Sequence, residues 1–158
     1  MAKFEINIEL DDLKRELSNI VEDINEGVEQ GLEVCANEIK KMEKRMIDKS
    51  TGNGEYVVTG QLERSVKIMP LEWSPGLATI SVTNSAIYAD LVEKGTGEFA
   101  SDGNGHKGGW VYSPDGGNTF FFTLGMPPHM FAQDSYDHYN NGKAKAIIEE
   151  EIYKCIRR

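Results

Sequence analysis

The sequence predicts an α+β fold: a small antiparallel β-sheet packed with a long N-terminal helix and a C-terminal helix, with a long Gly-rich loop. Three observations predict it. Apolar residues recur at steps of three and four along the first third, β-type segments separated by turn residues fill the middle, and helical spacing returns near the C-terminus. The 158 residues suit one domain. Surface scaling gives about 7,900 Å² of folded surface, so the chain can bury a core of its own.

The N-terminal third predicts a short strand and then one long helix. Residues 4–10 alternate between apolar and polar side chains, which is the period of a strand. The helix spans about residues 11–49, and Asp11 or Asp12 can cap it. Its apolar stripe consists of Leu13, Leu17, Ile20, Ile24, Val28, Cys35, Ile39, Met42 and Met46.

The length of this helix is a first indication of assembly. The stripe persists through about 36 residues, or roughly 54 Å, which is unusual in a domain of this size. Part of the stripe would then lack a partner in its own chain, although an antiparallel pair of helices explains the length equally well. Gly27 and Gly31 lie on or beside the stripe and cost about 1 kcal/mol each relative to Ala. They indicate either a kink or a close backbone contact.

The middle of the chain, over about residues 56–124, predicts β-structure. Segments 66–69 and 78–83 are strand-like and flank the turn residues of segment 74–76, so we expect an antiparallel hairpin. The segment at about 95–118 contains eight glycines and predicts a long flexible loop or a β-ribbon with a mobile tip.

The remaining periodic segments complete the predicted order of elements. Residues 110–112 and 119–123 supply two further short β segments. A C-terminal helix is expected over about residues 129–157, where apolar side chains recur at roughly helical spacing. The segment 140–142, Asn-Asn-Gly, is a candidate interruption of that helix. All elements fall in one domain covering residues 1–158.

The charge of the chain excludes one class of function. Seventeen Lys and Arg stand against 26 Asp and Glu, a formal net charge of −9. Proteins that hold nucleic acid independently of sequence present basic surfaces to phosphates, so DNA binding is not expected. Residues 9–38 carry ten acids and two bases, whereas residues 40–49 carry five bases and two acids. This order suits a helix macrodipole on a solvated face, and an acidic surface facing a specific partner is the alternative.

The candidates for catalytic chemistry are few. His129 and His138 are nine residues apart and would point to opposite faces of one helix, while His106 lies in the glycine-rich segment. Cys35 and Cys155 lie on apolar helix faces and are expected to be buried free thiols. We therefore expect no enzyme activity, no cofactor and no metal. A small metal-dependent hydrolase using the histidines is the distant alternative.

No targeting signal is expected. The N-terminus lacks the apolar region of a signal peptide, and no apolar run approaches the length of a membrane span. Synthesis in a reducing cytosol, without a membrane partner, is the expectation.

Three motif segments point to a known family. They are TGQLERS at residues 59–65, YADLVEKGTG at residues 88–97 and GMPPHMF at residues 125–131. In this order, behind a long amphipathic helix and around a glycine-rich insert, they resemble the tail-component family of tailed bacteriophages and prophages, the gene-product-ten type of long-tailed phages. The third segment departs from the family's Pro-Phe step. Phe131 is the favoured aromatic anchor.

The resemblance implies a structural protein of the virion, made in the bacterial host cytoplasm. Its implied role is tail completion or head–tail joining in the neck, and a head-completion or connector protein on the portal side is the alternative. The implied partners are the connector or stopper, the tail terminator and the tail tube. The six-fold tail tube implies a homo-hexameric ring through which genomic DNA passes without specific binding, although the free protein can be a monomer. The glycine-rich loop and the N-terminal strand are the candidate subunit contacts.

The resemblance also singles out residues that specify fold or interface. Gly60 is expected at a helix-to-sheet turn with positive φ, and Leu62 is expected to fill the core. Tyr88, Leu91 and Val92 are expected to form a short apolar turn under the sheet. Thr96 is expected to cap the sharp exit that Gly95 and Gly97 permit. Glu93 is expected to accept hydrogen bonds from loop amides or to pair with a neighbouring subunit. The full set is Thr59, Gly60, Leu62, Ser65, Tyr88, Ala89, Val92, Glu93, Gly95, Thr96, Gly97, Pro128 and Phe131.

Overall fold

The computed structural model describes the backbone of residues 10–51 and 60–158, with side chains for residues 10–48 and 60–158. The α+β prediction is confirmed. The predicted strand at residues 4–10 lies outside the described residues except for Leu10, which begins the first helix instead. Thr59 also lies outside them.

The long N-terminal helix is present as α1 (Leu10–Thr51) and packs most extensively against the C-terminal helices. A Cβ atom on Gly27 would lie 2.5 Å from the Cα of Ile152, and one on Gly31 would lie 2.7 Å from the Cα of Ile148. These glycines therefore let two antiparallel helices approach backbone to backbone. Of the two interpretations of Gly27 and Gly31, the close contact accounts for both.

The C-terminal helix is divided in two at the candidate interruption 140–142, so the expected range 129–157 is not one continuous helix. Helix α4 covers Phe131–Asn140, and α5 covers Lys143–Ile156. Gly142 adopts φ 92 between them, a left-handed conformation that an α-helix cannot continue through. The start of α4 is two residues later than expected because Met130 also has positive φ, at 45.

The predicted hairpin is present, with an interruption. After the short helix α2 (Gln61–Arg64), the outer ladder pairs β1 (Val66–Ile68) with β4 (Val82–Asn84) and the inner ladder pairs β2 (Glu72–Ser74) with β3 (Leu77–Thr79). Residues 69–71 oppose residues 80–81, so the register shifts by one residue and the expected strand 78–83 is split. Gly76, with φ 75, closes the turn after Pro75.

The second β unit starts from α3 (Ala89–Lys94) and a 3₁₀ turn at Gly97–Phe99. Strand β5 (Trp110–Tyr112) then pairs antiparallel with β6 (Phe121–Thr123). The described strands therefore form three two-stranded ladders rather than one sheet.

The glycine-rich segment is partly a hairpin rather than only a loop, because its C-terminal part forms the ordered tip between β5 and β6. Asp115 Oδ1 accepts hydrogen bonds from Ser113 Oγ and from the Thr119 amide, both at 2.8 Å, and its Oδ2 accepts from Thr119 Oγ1 at 2.6 Å. These bonds hold the pKa of Asp115 well below its ordinary value.

The core is small and lies where the second half of α1, the first hairpin, α3 and α4 meet. Its buried apolar side chains are Ile47, Val66, Ala86, Ala89 and Phe131. Many large apolar side chains of the described residues remain exposed, among them Leu13, Leu17, Trp73, Phe120 and Phe122. No helix within residues 10–51 and 60–158 has both the length and the apolar character needed to cross a bilayer.

Candidate assembly site

The first motif segment forms the turn from the long helix into the first hairpin. Gly60 adopts φ 67 before α2, and Leu62 packs against the core from a half-buried position. Asn84 Nδ2 donates to the Leu62 carbonyl at 2.9 Å. The carbonyl of Ser65 accepts from the Ser85 amide at 3.0 Å. The residues of this segment thus hold α2 onto the base of the hairpin.

The second and third motif segments dock directly on each other. The Thr96 amide donates to the Met126 carbonyl at 2.8 Å, and the Met126 amide donates to Thr96 Oγ1 at 3.0 Å. One step further along, the His129 amide donates to the Val92 carbonyl at 3.1 Å. The hydroxyl of Thr96, which was expected to cap the sharp exit between Gly95 and Gly97, thus accepts a hydrogen bond from the Met126 amide.

Glycine is required where these two segments cross. Gly95 has φ 76, and a Cβ there would lie 2.7 Å from both the Met126 carbonyl oxygen and the Pro128 nitrogen. Gly97 has φ 62, and a Cβ there would overlap the Leu124 carbonyl oxygen. Both positions therefore combine a left-handed backbone with backbone on the side that a Cβ would occupy.

Glu93 caps the N-terminus of α4 from another part of the chain. Its Oε2 accepts from the Ala132 amide and its Oε1 accepts from the Gln133 amide, both at 2.9 Å. These are amides of the first helical turn, which have no partner inside the helix, and a carboxylate there also suits the helix dipole. Of the two expectations for Glu93, the structure shows bonding to amides, although these belong to a helix and not to a loop.

The apolar residues of the two segments divide between core and surface. Phe131 is 2% exposed and Ala89 is buried beside it, while Tyr88 and Val92 pack against the same cluster. Leu91 is 55% exposed, so the expectation that it packs under the sheet was wrong. It lies on the outer face of the short helix α3.

A buried acid that the sequence analysis missed lies behind Glu93. Glu43 is 3% exposed, and its Oε2 has no hydrogen-bond partner. Burial, with a further contribution from the charge of Glu93, raises the pKa of Glu43 to about 7. The sequence did contain a sign of this burial. Residue 43 lies four positions after Ile39 and four before Ile47, which places it on the apolar side of α1.

The histidines are dispersed among separate contacts. His106 packs edge-on against Trp110 with 6.0 Å between ring centroids, and His138 Nε2 lies 2.6 Å from Lys143 Nζ. Within the described ranges, no three His, Cys, Asp or Glu side chains are placed to hold a metal ion. The hydrolase alternative gains no support from this geometry. The two cysteines are free and buried, as expected.

A family model matches the long helix from residue 11, the first motif segment and residues 88–95 of the second motif segment. The family is described as "Bacteriophage HK97-gp10, putative tail-component", and the match covers residues 11–95, more than half of the chain. The chain belongs to this family of phage tail components. Membership implies a place in the virion and contact with other tail proteins. No curated protein and no solved structure matches the chain.

This tail component carries two exposed apolar surfaces. The first, here called the α1 arm, is residues 10–26 of α1, where Leu13, Leu17 and Ile20 of the predicted apolar stripe face solvent and Ile24 is half-buried. The second, here called the aromatic ribbon, is the β5–β6 hairpin. Its exposed large side chains are Val111, Tyr112, Phe120, Phe121 and Phe122. A two-stranded ribbon with apolar groups on both faces is marginal by itself, so both surfaces are candidates for contact with other subunits.

Proposed function

We propose that the protein completes the tail, or joins head and tail, in the neck of a tailed phage or prophage. The family match carries the proposal, since it identifies a tail component. The uncovered apolar surface supports an assembled state, because the α1 arm and the aromatic ribbon expose groups that a monomer would ordinarily bury.

In the proposed assembly the protein forms a homo-hexameric ring around the DNA passage. Ring closure requires a heterologous contact, in which one surface of a subunit meets a different surface of the next. The connector or stopper lies on the head side, and the tail terminator and tail tube lie on the tail side. Genomic DNA passes through without specific binding.

The net charge of −9 suits a passage for DNA. An acidic lumen would repel phosphates and keep the DNA from adhering to the wall. Either the acid-rich residues 9–38 or the acidic middle segment, residues 51–118 with eight acids and four bases, would line it. A neck structure with a basic lumen formed by this protein would contradict this part of the proposal.

Deletion of the gene tests the role. We expect DNA-filled heads and detached tails in electron micrographs of the lysate, with infectivity restored by a plasmid copy. Normal infectious particles from the deletion strain would reject the proposal.

Mixing of extracts separates the proposal from its alternative. Extract containing wild-type tails but no heads should restore infectivity to the deletion lysate if the protein acts on the tail side. Restoration by wild-type heads alone would favour a head-completion or connector protein on the portal side.

A further inference from the structure

The α1 arm extends beyond the rest of the helical bundle. Helix α5 ends at Ile156, and Arg158 pairs with Glu26 at 2.9 Å, close to the half-buried Asp23 and Ile24. Residues 10–22 continue for roughly 20 Å past this point. All of their side chains are exposed, so no other described element covers this part of the apolar stripe.

The exposed stripe has helical spacing and lies on a strongly acidic segment. Leu13, Leu17 and Ile20 are each close to half exposed, although they lie at the steps of three and four that mark a packing face. The α1 arm also carries six acids and two bases, a net charge of −4. A partner for this surface must therefore offer apolar contact inside a basic rim.

The same chain has such a surface on the second half of α1. A groove of about 260 Å³ lies between α1 and α4 and is lined by Met42, Met46 and Tyr139 together with Lys41, Arg45 and His138. One acid, Glu38, also lines it and pairs with Lys41 at 2.6 Å. Here it is called the basic groove, because it opens on the segment 40–49, which carries five bases and two acids.

The arm cannot reach the basic groove of its own chain. Leu17 and Glu43 are 26 residues apart on one continuous helix, a separation of roughly 39 Å. A contact between the two surfaces is therefore between copies, and it is heterologous, as a ring requires. Contact between two arms would instead bring together two segments of charge −4.

We propose that the α1 arm of one subunit docks its apolar stripe in the basic groove of a second copy of this chain. Leu13 or Leu17 enters between Met42 and Met46, one acid of the arm faces Arg45, and another replaces Glu38 as the partner of Lys41. The inference rests on the proposed function only for its setting in a neck ring. Because the acids of the arm are then used between subunits, the acidic middle segment is left to line the lumen.

A photo-crosslinking amino acid at position 17 tests the contact in the full-length protein. In concentrated purified protein and in phage particles, we expect an adduct with the mass of two chains, mapping to the peptides around Met42 and Tyr139. The same probe at Asn19, on the opposite side of the arm, is the matched control and should give little adduct. Crosslinking within one chain, between two arms, only to another protein, or not at all would overturn the proposal.

Charge reversal tests the complementarity. An arm variant (Asp11→Lys, Asp12→Lys, Glu16→Lys) and a groove variant (Lys41→Glu, Arg45→Glu) should each lose the position-17 adduct by roughly tenfold or more at low salt. A mixture of the two variants should recover it, because each arm then meets a groove of opposite charge. An unaffected groove variant, or a mixture that does not recover, would overturn the proposal. Circular dichroism should show both variants folded, since all five side chains are exposed.

Failure of the contact and failure of the proposed function are distinguishable. A copy-to-copy adduct in purified protein, together with normal particles from the deletion strain, would keep the contact and reject the neck role. Detached tails in the deletion strain, without the adduct, would keep the role and reject the contact.

Discussion

The two halves of α1 carry the same kind of apolar stripe, but one half is packed against other elements and the other is exposed to solvent. In the half from Gly27 to Asp48, the stripe packs on α4, α5 and the first hairpin, and Cys35, Ala36 and Ile47 are each less than 5% exposed. In the α1 arm, the stripe continues without a break but faces solvent. The arm therefore differs in what lies opposite it, not in its own pattern.

The difference follows from the length of α5. Helix α5 has 14 residues and α1 has 42, so the C-terminal helix can cover only part of the N-terminal one. The periodicity of a helix shows which of its faces packs. It does not show whether the packing partner lies in the same chain or in another one. The packed half stabilises the fold, and the arm is free to contribute to assembly.

Truncation of one large side chain in each half should separate the two roles most strongly. Ile47→Ala should lower the free energy of unfolding by about 2–5 kcal/mol, because it leaves a cavity in the core. Leu17→Ala should change it by less than about 0.5 kcal/mol, because the side chain is exposed. Urea denaturation at low protein concentration measures both, and similar losses would contradict the division of α1.

Removal of the buried carboxyl group of Glu43 in the packed half should raise the free energy of unfolding by an amount that depends on pH. The folded pKa of Glu43, about 7, lies above its ordinary value of 4.5, so this group favours folding below pH 4.5 and the advantage is lost as the pH rises through 7. Glu43→Gln should therefore be nearly neutral at pH 5 and stabilising by up to about 3 kcal/mol at pH 8.

Thermal unfolding across pH 5–8 checks this expectation. Exposed Glu29→Gln is the matched control on the same helix and should leave the pH dependence unchanged. A Glu43→Gln profile parallel to that of the wild type would show that the carboxyl is already satisfied in solution.

The close contact between Gly31 and helix α5 allows a third comparison of the two halves of α1. Gly31→Ala should be net destabilising by about 1–2 kcal/mol, because overpacking against the backbone of Ile148 outweighs the gain in helix propensity. Asn19→Ala in the arm gains propensity without a clash and should be neutral or slightly stabilising. Equal stabilisation of both variants would mean that α5 does not approach α1 closely.

Loss of the cap on α4 should have the smallest of these effects. Glu93→Ala removes two hydrogen bonds to the first turn of α4 and should cost about 1 kcal/mol at pH 5. The cost should shrink at pH 8, because removal of this charge also relieves Glu43. Glu22→Ala in the arm is the control. A cost that grows with pH would contradict the proximity of the two acids.

The pattern of α1 and the turn at Pro75-Gly76 were predictable because local sequence controls them. Helical periodicity and turn residues act over a few positions, and both survive in the structure. The break at Gly142 was visible as a candidate for the same reason. Glu43 was missed because its charge suggested the solvated face, although its spacing placed it on the stripe.

The motif segments were found as a sequence pattern, but their joint role was not predictable. Glu93 and Ala132 are 39 positions apart, and nothing local indicates that one carboxylate serves the first turn of a distant helix. The exposure of Leu91 and the use of Thr96 by Met126 depend on the same long-range docking.

The α+β class, the long helix, the hairpin turn and the family resemblance follow from residue order alone, because they depend on short-range patterns and recurring motifs. Which half of α1 is covered follows only from the packing of whole elements, because it depends on where α5 crosses at Gly27 and Gly31 and where it ends. The same packing buries Glu43 beside Glu93, and it leaves the arm and the basic groove too far apart to meet in one chain. These features arise from the placement of whole elements, which no local pattern encodes.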